Sequence, residues 1–170
     1  MGCRPNKPLH ITDQQPMLAL MQRNIALNGL QSAVNASVYN WGGARPAGVP
    51  TADVVLAADC VYFEPAFPLL QRTLEDLIGP ETVCYFSFKK RRRADLHFMK
   101  AVRKAFVVQE VENDPDRPGY ARENISLYSL LPPACREMLV AQLTEDAGAP
   151  SGGSGNDERS ILQTYVCMRG

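Results

Sequence analysis

The sequence predicts an α/β protein, a three-layer sandwich built around a mostly parallel β-sheet. Residues 54–58 form a continuous apolar run that ends at Asp59, which is typical of a strand buried on both faces of a parallel sheet. Strand-like and helical patterns alternate from Leu9 onward, as in successive βαβ units. Two strand-like stretches, residues 107–111 and 125–131, then follow each other without a helical pattern, which indicates an antiparallel pair at the sheet edge.

Each element has a local signal in the sequence. The first strand, residues 9–12, runs into Asp13, and Pro16 suits the first turn of a helix that Asp13 could cap. Apolar residues at helical spacing follow until Asn28–Gly29 ends that helix. The other predicted elements are strands at residues 33–38 and 82–88, a helix at 66–78, a polar loop at 112–124, and a helix with the buried stripe Leu96, Phe98, Met99, Val102 and Phe106.

The chain divides into one domain and two flanking segments. Residues 1–8 are polar, contain two prolines and are predicted to be disordered, and residues 9–131 form the domain. Residues 132–170 form a C-terminal extension, within which residues 134–144 predict a helix, residues 147–157 are flexible by composition and residues 161–168 predict a last strand.

A strand, a glycine-rich turn and a helix normally open a doubly wound nucleotide-binding domain. The few residues before Leu9 contain no such unit. The sequence therefore predicts a fold that lacks its first βα unit, with the sheet edge that this strand would cover left exposed.

The composition indicates which partners the protein does not bind and in which compartment it works. Eighteen basic and eighteen acidic residues balance at a pI of about 6.7, so no global field favours nucleic acid or a membrane surface. The five cysteines are odd in number and never form a Cys-x-x-Cys pair, which argues against both a disulfide framework and a zinc site. With no apolar stretch long enough for a membrane span and no secretory signal, the chain is predicted to be cytoplasmic.

Two residues are candidates for binding a nucleoside. Asp13 ends a strand, where a carboxylate can accept hydrogen bonds from a ribose diol, and a helix cap is the equally sufficient alternative. Trp41, the only tryptophan, lies beyond a strand end and could line an adenine pocket, but the favoured interpretation from spacing alone is a core aromatic.

A second pair could bind a cationic substrate. Asp59 and Tyr62 form an Asp-x-x-Tyr element after the buried strand, where a carboxylate can hold an ammonium group and a phenol can orient or shield it, unless Asp59 merely caps the turn. The basic run at residues 89–93 is interpreted as a solvated surface rather than a phosphate site. His10 and His97 are given no role, and no metal site is predicted.

Several of these segments together resemble methyltransferase family 16, the seven-strand, S-adenosylmethionine-dependent protein-lysine methyltransferases that modify translation elongation factors and chaperones. The similarity extends from about Leu9 to Leu131, and the Asp-x-x-Tyr element is the family's signature. The matching segments are His10 to Asp13, Met21 to Asn28, Tyr39 to Gly42, Ala58 to Tyr62 and Ser87 to Arg91.

The resemblance implies a Rossmann-like methyltransferase fold and a division of roles at the site. It implies that Asp13, Trp41 and Ala58 bind S-adenosylmethionine, with Asp13 on the ribose, and that Asp59 and Tyr62 line the channel for the target lysine. It further implies a protein substrate. The chain is separately predicted to act as a monomer. Relatives usually show Asp-Trp-Gly where this chain has Asn40-Trp41-Gly42, and the glycine-rich donor-binding motif is absent before Asp13.

Two alternatives remain open from the sequence. The chain could be a catalytically inactive module that keeps the lysine-binding and partner surfaces, since the glycine-rich motif is absent. It could also be a small-molecule methyltransferase on the same fold, which the Asp-x-x-Tyr element makes less favourable.

Overall fold

The structure, a computed structural model, describes residues 8–135 and the backbone of residues 165–168. The predictions of a disordered N-terminus, of a helix over residues 134–144 and of a flexible stretch at residues 147–157 lie wholly or almost wholly outside the described residues. The strands are β1 (Leu9–Asp13), β2 (Val34–Val38), β3 (Val54–Ala58), β4 (Val83–Lys89), β5 (Val107–Glu110), β6 (Ile125–Leu131) and β7 (Tyr165–Met168). The helices are α1 (Leu18–Leu27), α2 (Phe67–Leu77), α3 (Arg93–Ala105) and α4 (Arg117–Ala121), and short 3-10 turns at Gln15–Met17 and Glu64–Ala66 precede α1 and α2.

These bounds confirm the predicted α/β class and agree with most predicted elements to within a residue or two. The exception is the segment at residues 112–124, which was predicted to be a loop and contains α4. Pro118 occupies the first turn of this short helix, a position where proline needs no hydrogen-bond partner for its nitrogen. The pairs Asp114-Pro115 and Pro118-Gly119, which are typical of a loop, therefore also occur at a helix of little more than one turn. No helix in the described part of the chain is long and apolar enough to cross a membrane.

All seven described strands belong to one sheet in the order β2-β1-β7-β3-β4-β6-β5. The pairs from β2 to β4 are parallel, while β6 runs antiparallel to both β4 and β5. The predicted mostly parallel sheet with an antiparallel pair at one edge is confirmed.

The strand β7 joins two parts of the sheet that do not pair with each other directly. Its backbone lies parallel between β1 and β3, with Ile11 and Leu56 both opposite Cys167. The expectation of an exposed sheet edge at this position is wrong, because a strand from the C-terminal end of the chain fills it. Of the strand predicted at residues 161–168, the described part, Tyr165–Met168, lies in the centre of the sheet.

Helices α2 and α3 cover one face of the sheet and form the main core with it. Val55, Ala57 and Phe86 on the strands are almost fully buried there, as are Leu74 of α2 and Val102 of α3. The Phe67 and Phe98 rings of the two helices lie 4.9 Å apart between centroids, a packing distance for aromatic pairs.

Two predictions about buried faces are wrong. The strand β3 is not buried on both faces, because Leu56 is 36% exposed and lies beside Tyr85 of β4, which is 42% exposed. The buried stripe of α3 does not include Leu96, which is 55% exposed. Asp95 begins the stripe instead, since residues three, four and seven positions after it share its side of the helix.

The described cysteine side chains behave as small apolar residues. Cys60, Cys84 and Cys135 form no disulfide bond in the described part of the chain, and the first two are buried. Burial raises the pKa of Cys84 well above its usual range, so this thiol stays protonated and unreactive in the core.

Candidate functional site

The candidate site lies along the edge where the parallel strands end. Asp13 is the last residue of β1, Asp59 follows the last residue of β3, and the basic run at residues 89–93 follows β4. The carboxyl ends of parallel strands meet at one edge of an open α/β sheet, which is where such sheets bind ligands. Fold topology therefore brings together groups that are up to eighty residues apart in the sequence.

The end of β7 separates this edge into two halves. Because β7 lies between β1 and β3, the two flanking strands are about 10 Å apart, two strand spacings. Asp13 and the turn after β2 lie on one side, and Asp59, Tyr62 and the basic run lie on the other. The residues predicted to bind the cofactor and the residues predicted to bind the target lysine thus lie on two sides of one sheet edge. Ala58 is the exception, since it is predicted to bind the cofactor but ends β3.

Asp13 is buried at the end of β1, with 6% of its surface exposed. Its Oδ1 accepts a 2.7 Å hydrogen bond from the backbone N–H of Gln14, and its backbone carbonyl accepts one from the N–H of Tyr39. The start of the following helical turns has no side-chain cap, so the interpretation of Asp13 as a helix cap is wrong. Within the described residues, no hydrogen bond is made to Oδ2, and the carboxylate retains acceptor capacity for a ligand.

The turn after β2 holds Trp41 against α2. Trp41 is half-buried and packs on the core, and the next residue, Gly42, donates its N–H to Oγ1 of Thr73 at 2.8 Å. Gly42 has a φ of 75° and lies so close to Leu69 that a Cβ would come within 2.7 Å of Leu69 Cδ2. The backbone therefore requires glycine here, and Trp41 combines the core packing favoured from spacing with a position beside the strand edge.

Asp59 adopts an uncommon backbone conformation at the end of β3. Its φ is 51°, in the left-handed region, which aspartate tolerates better than most residues. Its N–H donates to the carbonyl of Ser87 on β4, so the sheet pairing continues through Asp59 while the chain turns. Ala58 and Tyr62 are exposed, Tyr62 by 45% of its surface. A carboxylate and a phenol are thus presented to solvent at the sheet edge, on either side of the buried pair Cys60 and Val61.

The basic run after β4 contacts the Asp-x-x-Tyr element directly. Arg91 forms a forked ion pair with Asp59, with Nη1 to Oδ1 at 3.0 Å and Nη2 to Oδ2 at 3.4 Å. Arg92 donates from Nη2 to the backbone carbonyl of Tyr62 at 2.8 Å. The hydrogen bond to Asp59 raises the pKa of Arg91. These two arginines are exposed to solvent, as predicted for the run, but they also contact the Asp-x-x-Tyr element, which the sequence did not predict.

Asp95 fixes the backbone of the two arginines. It is fully buried, and its Oδ2 accepts hydrogen bonds from the N–H of Arg91 at 2.9 Å and of Arg92 at 3.0 Å. Its Oδ1 also accepts one from Nη2 of Arg92 at 3.2 Å. Neither Asp95 nor the arginines were identified as site residues from the sequence. The available signal was that the basic run follows the strand adjacent to β3, so it ends at the same edge as Asp59.

Comparison with known proteins gives a consistent family. The family model described as lysine methyltransferase matches residues 2–105. The chain is 37% identical over 137 residues to protein-lysine N-methyltransferase EFM6 of Saccharomyces cerevisiae, covering 72% of this chain and 54% of the relative. It is 39% identical to protein N-lysine methyltransferase METTL21A of Danio rerio, covering 63% and 51%, and 34% identical to EEF1A lysine methyltransferase 3 of Mus musculus, covering 61% and 47%.

The fold comparison agrees with the sequence comparison. An O-methyltransferase, NcsB1, from neocarzinostatin biosynthesis aligns with a TM-score of 0.51 at 15% identity, covering 72% of this chain and 41% of that one. At this identity the likeness concerns the fold, which is Rossmann-like. The chain spans about half the length of the curated relatives it matches. On the match to the family model, the chain belongs to the lysine methyltransferase family.

Proposed function

We propose that this protein is an S-adenosylmethionine-dependent protein-lysine N-methyltransferase. In this proposal Asp59 and Tyr62 face the target lysine, and Asp13, Trp41 and Ala58 contact the cofactor. The observation that carries the proposal is the exposed carboxylate of Asp59 at the carboxyl end of β3, beside the end of β4 and at the same sheet edge as the end of β1. An exposed carboxylate at this edge suits a cationic ligand, and the family of the chain names that ligand as lysine.

The residues around β1 and β2 fit a nucleoside cofactor. Asp13 has an acceptor oxygen without a hydrogen bond in the described part of the chain, as a ribose hydroxyl requires, and Trp41 offers an aromatic surface at the neighbouring turn. When bound, S-adenosylmethionine supplies a methyl group on a positively charged sulfur, which makes the methyl carbon electrophilic.

The chain's own groups then have to bind and orient a lysine side chain. Nucleophilic attack needs the neutral amine, whereas lysine in water is mostly protonated at neutral pH. The carboxylate of Asp59 attracts the ammonium form and directs its nitrogen to the strand edge, and the exposed side of Asp59 leaves a path for the proton to reach solvent. The Tyr62 phenol lies on the same short segment and can donate or accept a hydrogen bond at the amine.

We propose a translation elongation factor as the protein substrate. One of the relatives is named for EEF1A, and another is a protein-lysine methyltransferase of yeast. A chaperone is the second candidate from the family resemblance. The proposal includes action as a monomer in the cytoplasm, without a nucleic-acid or membrane partner.

The test is transfer of a radiolabelled methyl group from S-adenosylmethionine to purified elongation factor 1A by the full chain. We expect incorporation at a lysine, and we expect Asp59→Asn to reduce it by at least about a hundredfold, as is common for a group that orients a reacting atom. Glu81→Gln is the matched control, since Glu81 is an exposed carboxylate before β4, at the opposite edge of the sheet. This control should retain full activity.

Calorimetry with S-adenosylmethionine separates the enzyme from the alternatives. Binding with methyl transfer to protein supports the proposal. No detectable heat would favour the inactive partner-binding module, and binding with transfer only to small amines or hydroxyls would favour a small-molecule methyltransferase. Full activity of Asp59→Asn would remove Asp59 from the site.

A further inference from the structure

Arg91 occupies the position at Asp59 where a substrate cation would bind. Its guanidinium makes two hydrogen bonds to the two oxygens of the Asp59 carboxylate, the fork geometry in which arginine recognises a carboxylate most strongly. In the structure, the carboxylate that a lysine would use is therefore already paired with a cation of the same chain.

The backbone of Arg91 is fixed while its side chain is free to leave. Asp95 is fully buried and holds the N–H groups of Arg91 and Arg92, so this turn stays close to the Asp-x-x-Tyr element. By contrast, the side chains of the ion pair are open to solvent, Arg91 by 40% and Asp59 by 64%. Ion pairs with this exposure are weak, so a competing cation can break the pair at small cost.

The other carboxylate of this network offers no alternative position for a cation. Asp95 is buried and already accepts hydrogen bonds from two backbone N–H groups and from Arg92. A lysine ammonium close to Asp59 would also meet the positive charge of Arg91, and like charges at such distances repel. Lysine and Arg91 therefore compete for Asp59 rather than share it.

We propose that Arg91 is an internal competitor of the target lysine. Its guanidinium occupies the Asp59 carboxylate in the free protein and must move away before the lysine binds. This inference rests on the proposed function, because it assumes that Asp59 receives the lysine. Arg91 then sets how much binding the substrate protein must contribute through other contacts before its lysine can reach Asp59. A lysine held by additional contacts displaces the guanidinium, whereas a free amine binds only weakly.

The experiment is a titration of the full chain with N-acetyl-lysine methylamide, followed by the backbone amide shifts of residues 59–62 in NMR spectra. Arg91→Gln should lower the dissociation constant about two- to fivefold, the range expected when an exposed ion pair no longer competes. Arg91→Lys, which keeps a charge but not the fork, should give a smaller decrease. Arg93→Gln, at a neighbouring exposed arginine, should leave the constant unchanged.

A double-mutant comparison distinguishes the inference from the proposed function. Asp59→Asn should weaken binding, and in that background Arg91→Gln should have no further effect, because the competitor has lost its partner. If Asp59→Asn weakens binding but Arg91→Gln does not tighten it, the competition is overturned and Asp59 remains the lysine site. If Asp59→Asn leaves binding unchanged, Asp59 is not the lysine site and both proposals fall.

Discussion

The hydroxyl of Tyr39 donates a 2.7 Å hydrogen bond to Oδ2 of Asp76, which links the turn after β2 to helix α2. Tyr39 is buried, while the Asp76 side chain is 39% exposed and also lies 3.7 Å from Nε of Arg45. This contact and the bond from Gly42 to Thr73 hold the two ends of the same short turn on α2. The position of Trp41, which lies between them, depends on both.

We expect Tyr39→Phe to destabilise the protein by about 1 kcal/mol, the usual net value of such a hydrogen bond when the remaining partner can reach water. The stability should also lose part of its dependence on alkaline pH. Burial and Asp76 raise the pKa of Tyr39 above its ordinary value of 10.0, so the folded state keeps a proton that the unfolded state releases. The stability that Tyr39 contributes is therefore fully present below pH 10 and decreases as the pH rises above it.

Urea unfolding at pH 8 and at pH 10.5 measures both effects. The wild-type protein should lose more stability between the two values than Tyr39→Phe does. Tyr85→Phe is the control, because Tyr85 is 42% exposed and should change neither quantity. Equal pH dependence of the wild type and Tyr39→Phe would contradict the assignment.

We expect Gly42→Ala to destabilise the protein by about 1–3 kcal/mol and to move Trp41. A φ of 75° is strained for alanine, and its Cβ would lie 2.7 Å from Leu69 Cδ2. Because Trp41 is the only tryptophan, its fluorescence reports on this turn alone. A shifted emission maximum in the folded variant is the expected result.

Gly48→Ala is the matched control for that experiment. A Cβ at Gly48 would meet nothing within 4 Å, so stability and emission should stay at the wild-type values. Wild-type emission from folded Gly42→Ala would show that Trp41 does not depend on the Gly42 contact.

The strands and helices could be predicted largely because their signals are local. The apolar run of β3 and the helical spacing of α2 and α3 each depend on side chains within one element. The burial of each face could not be predicted in the same way, since it depends on what packs there. Leu56 and Leu96 look like core residues in their own segments, yet one is 36% exposed and the other 55%.

The candidate site shows the same division. Asp13 and Asp59 could be singled out because each ends a strand-like stretch, a position that already indicates a sheet edge. The pairing of Asp59 with Arg91, by contrast, joins residues thirty-two positions apart and depends on β3 and β4 being neighbours. A run of basic residues does not indicate which of them will form an ion pair, so Arg91 was not predicted as a site residue. Asp95, which holds the backbone of Arg91, was not predicted either.

The central strand gives the third prediction. β7 pairs with β1 and β3, which do not pair with each other, so its backbone connects two halves of the sheet. Val166 lies opposite both His10 and Val55. We expect Val166→Pro to destabilise the protein by about 1–3 kcal/mol for the backbone carbonyl left unpaired, with the clash of the ring adding to this.

Hydrogen exchange of the strand amides is the measurement for that variant, with Val166→Ala as control because alanine keeps the N–H group. In Val166→Pro the amides of β1 and β3 should lose protection together. Protection of both strands equal to that of Val166→Ala would show that the sheet does not depend on β7.

We expect His10 to make the protein less stable in mild acid. It lies on β1 opposite Val166, which also lies opposite Val55 of β3, so by register it shares the face that α2 covers. Its side chain is buried, and Nδ1 has no hydrogen-bond partner within the described residues. Burial lowers the pKa of His10 from its ordinary value of 6.5, because a charged imidazole would lose its hydration.

The direction of this pH dependence follows from the number of protons that the folded and unfolded states bind. Below pH 6.5 the unfolded chain binds a proton at His10 that the folded protein resists, so stability falls with pH until the folded-state pKa is reached. The slope from this one group is at most about 1.4 kcal/mol per pH unit.

We expect His10→Leu to lose less stability than the wild type between pH 7.5 and pH 5.5 in urea unfolding. His97→Leu, at an exposed position on α3, should show the wild-type loss. A loss in His10→Leu as large as that in the wild type would mean that other groups cause the acid sensitivity.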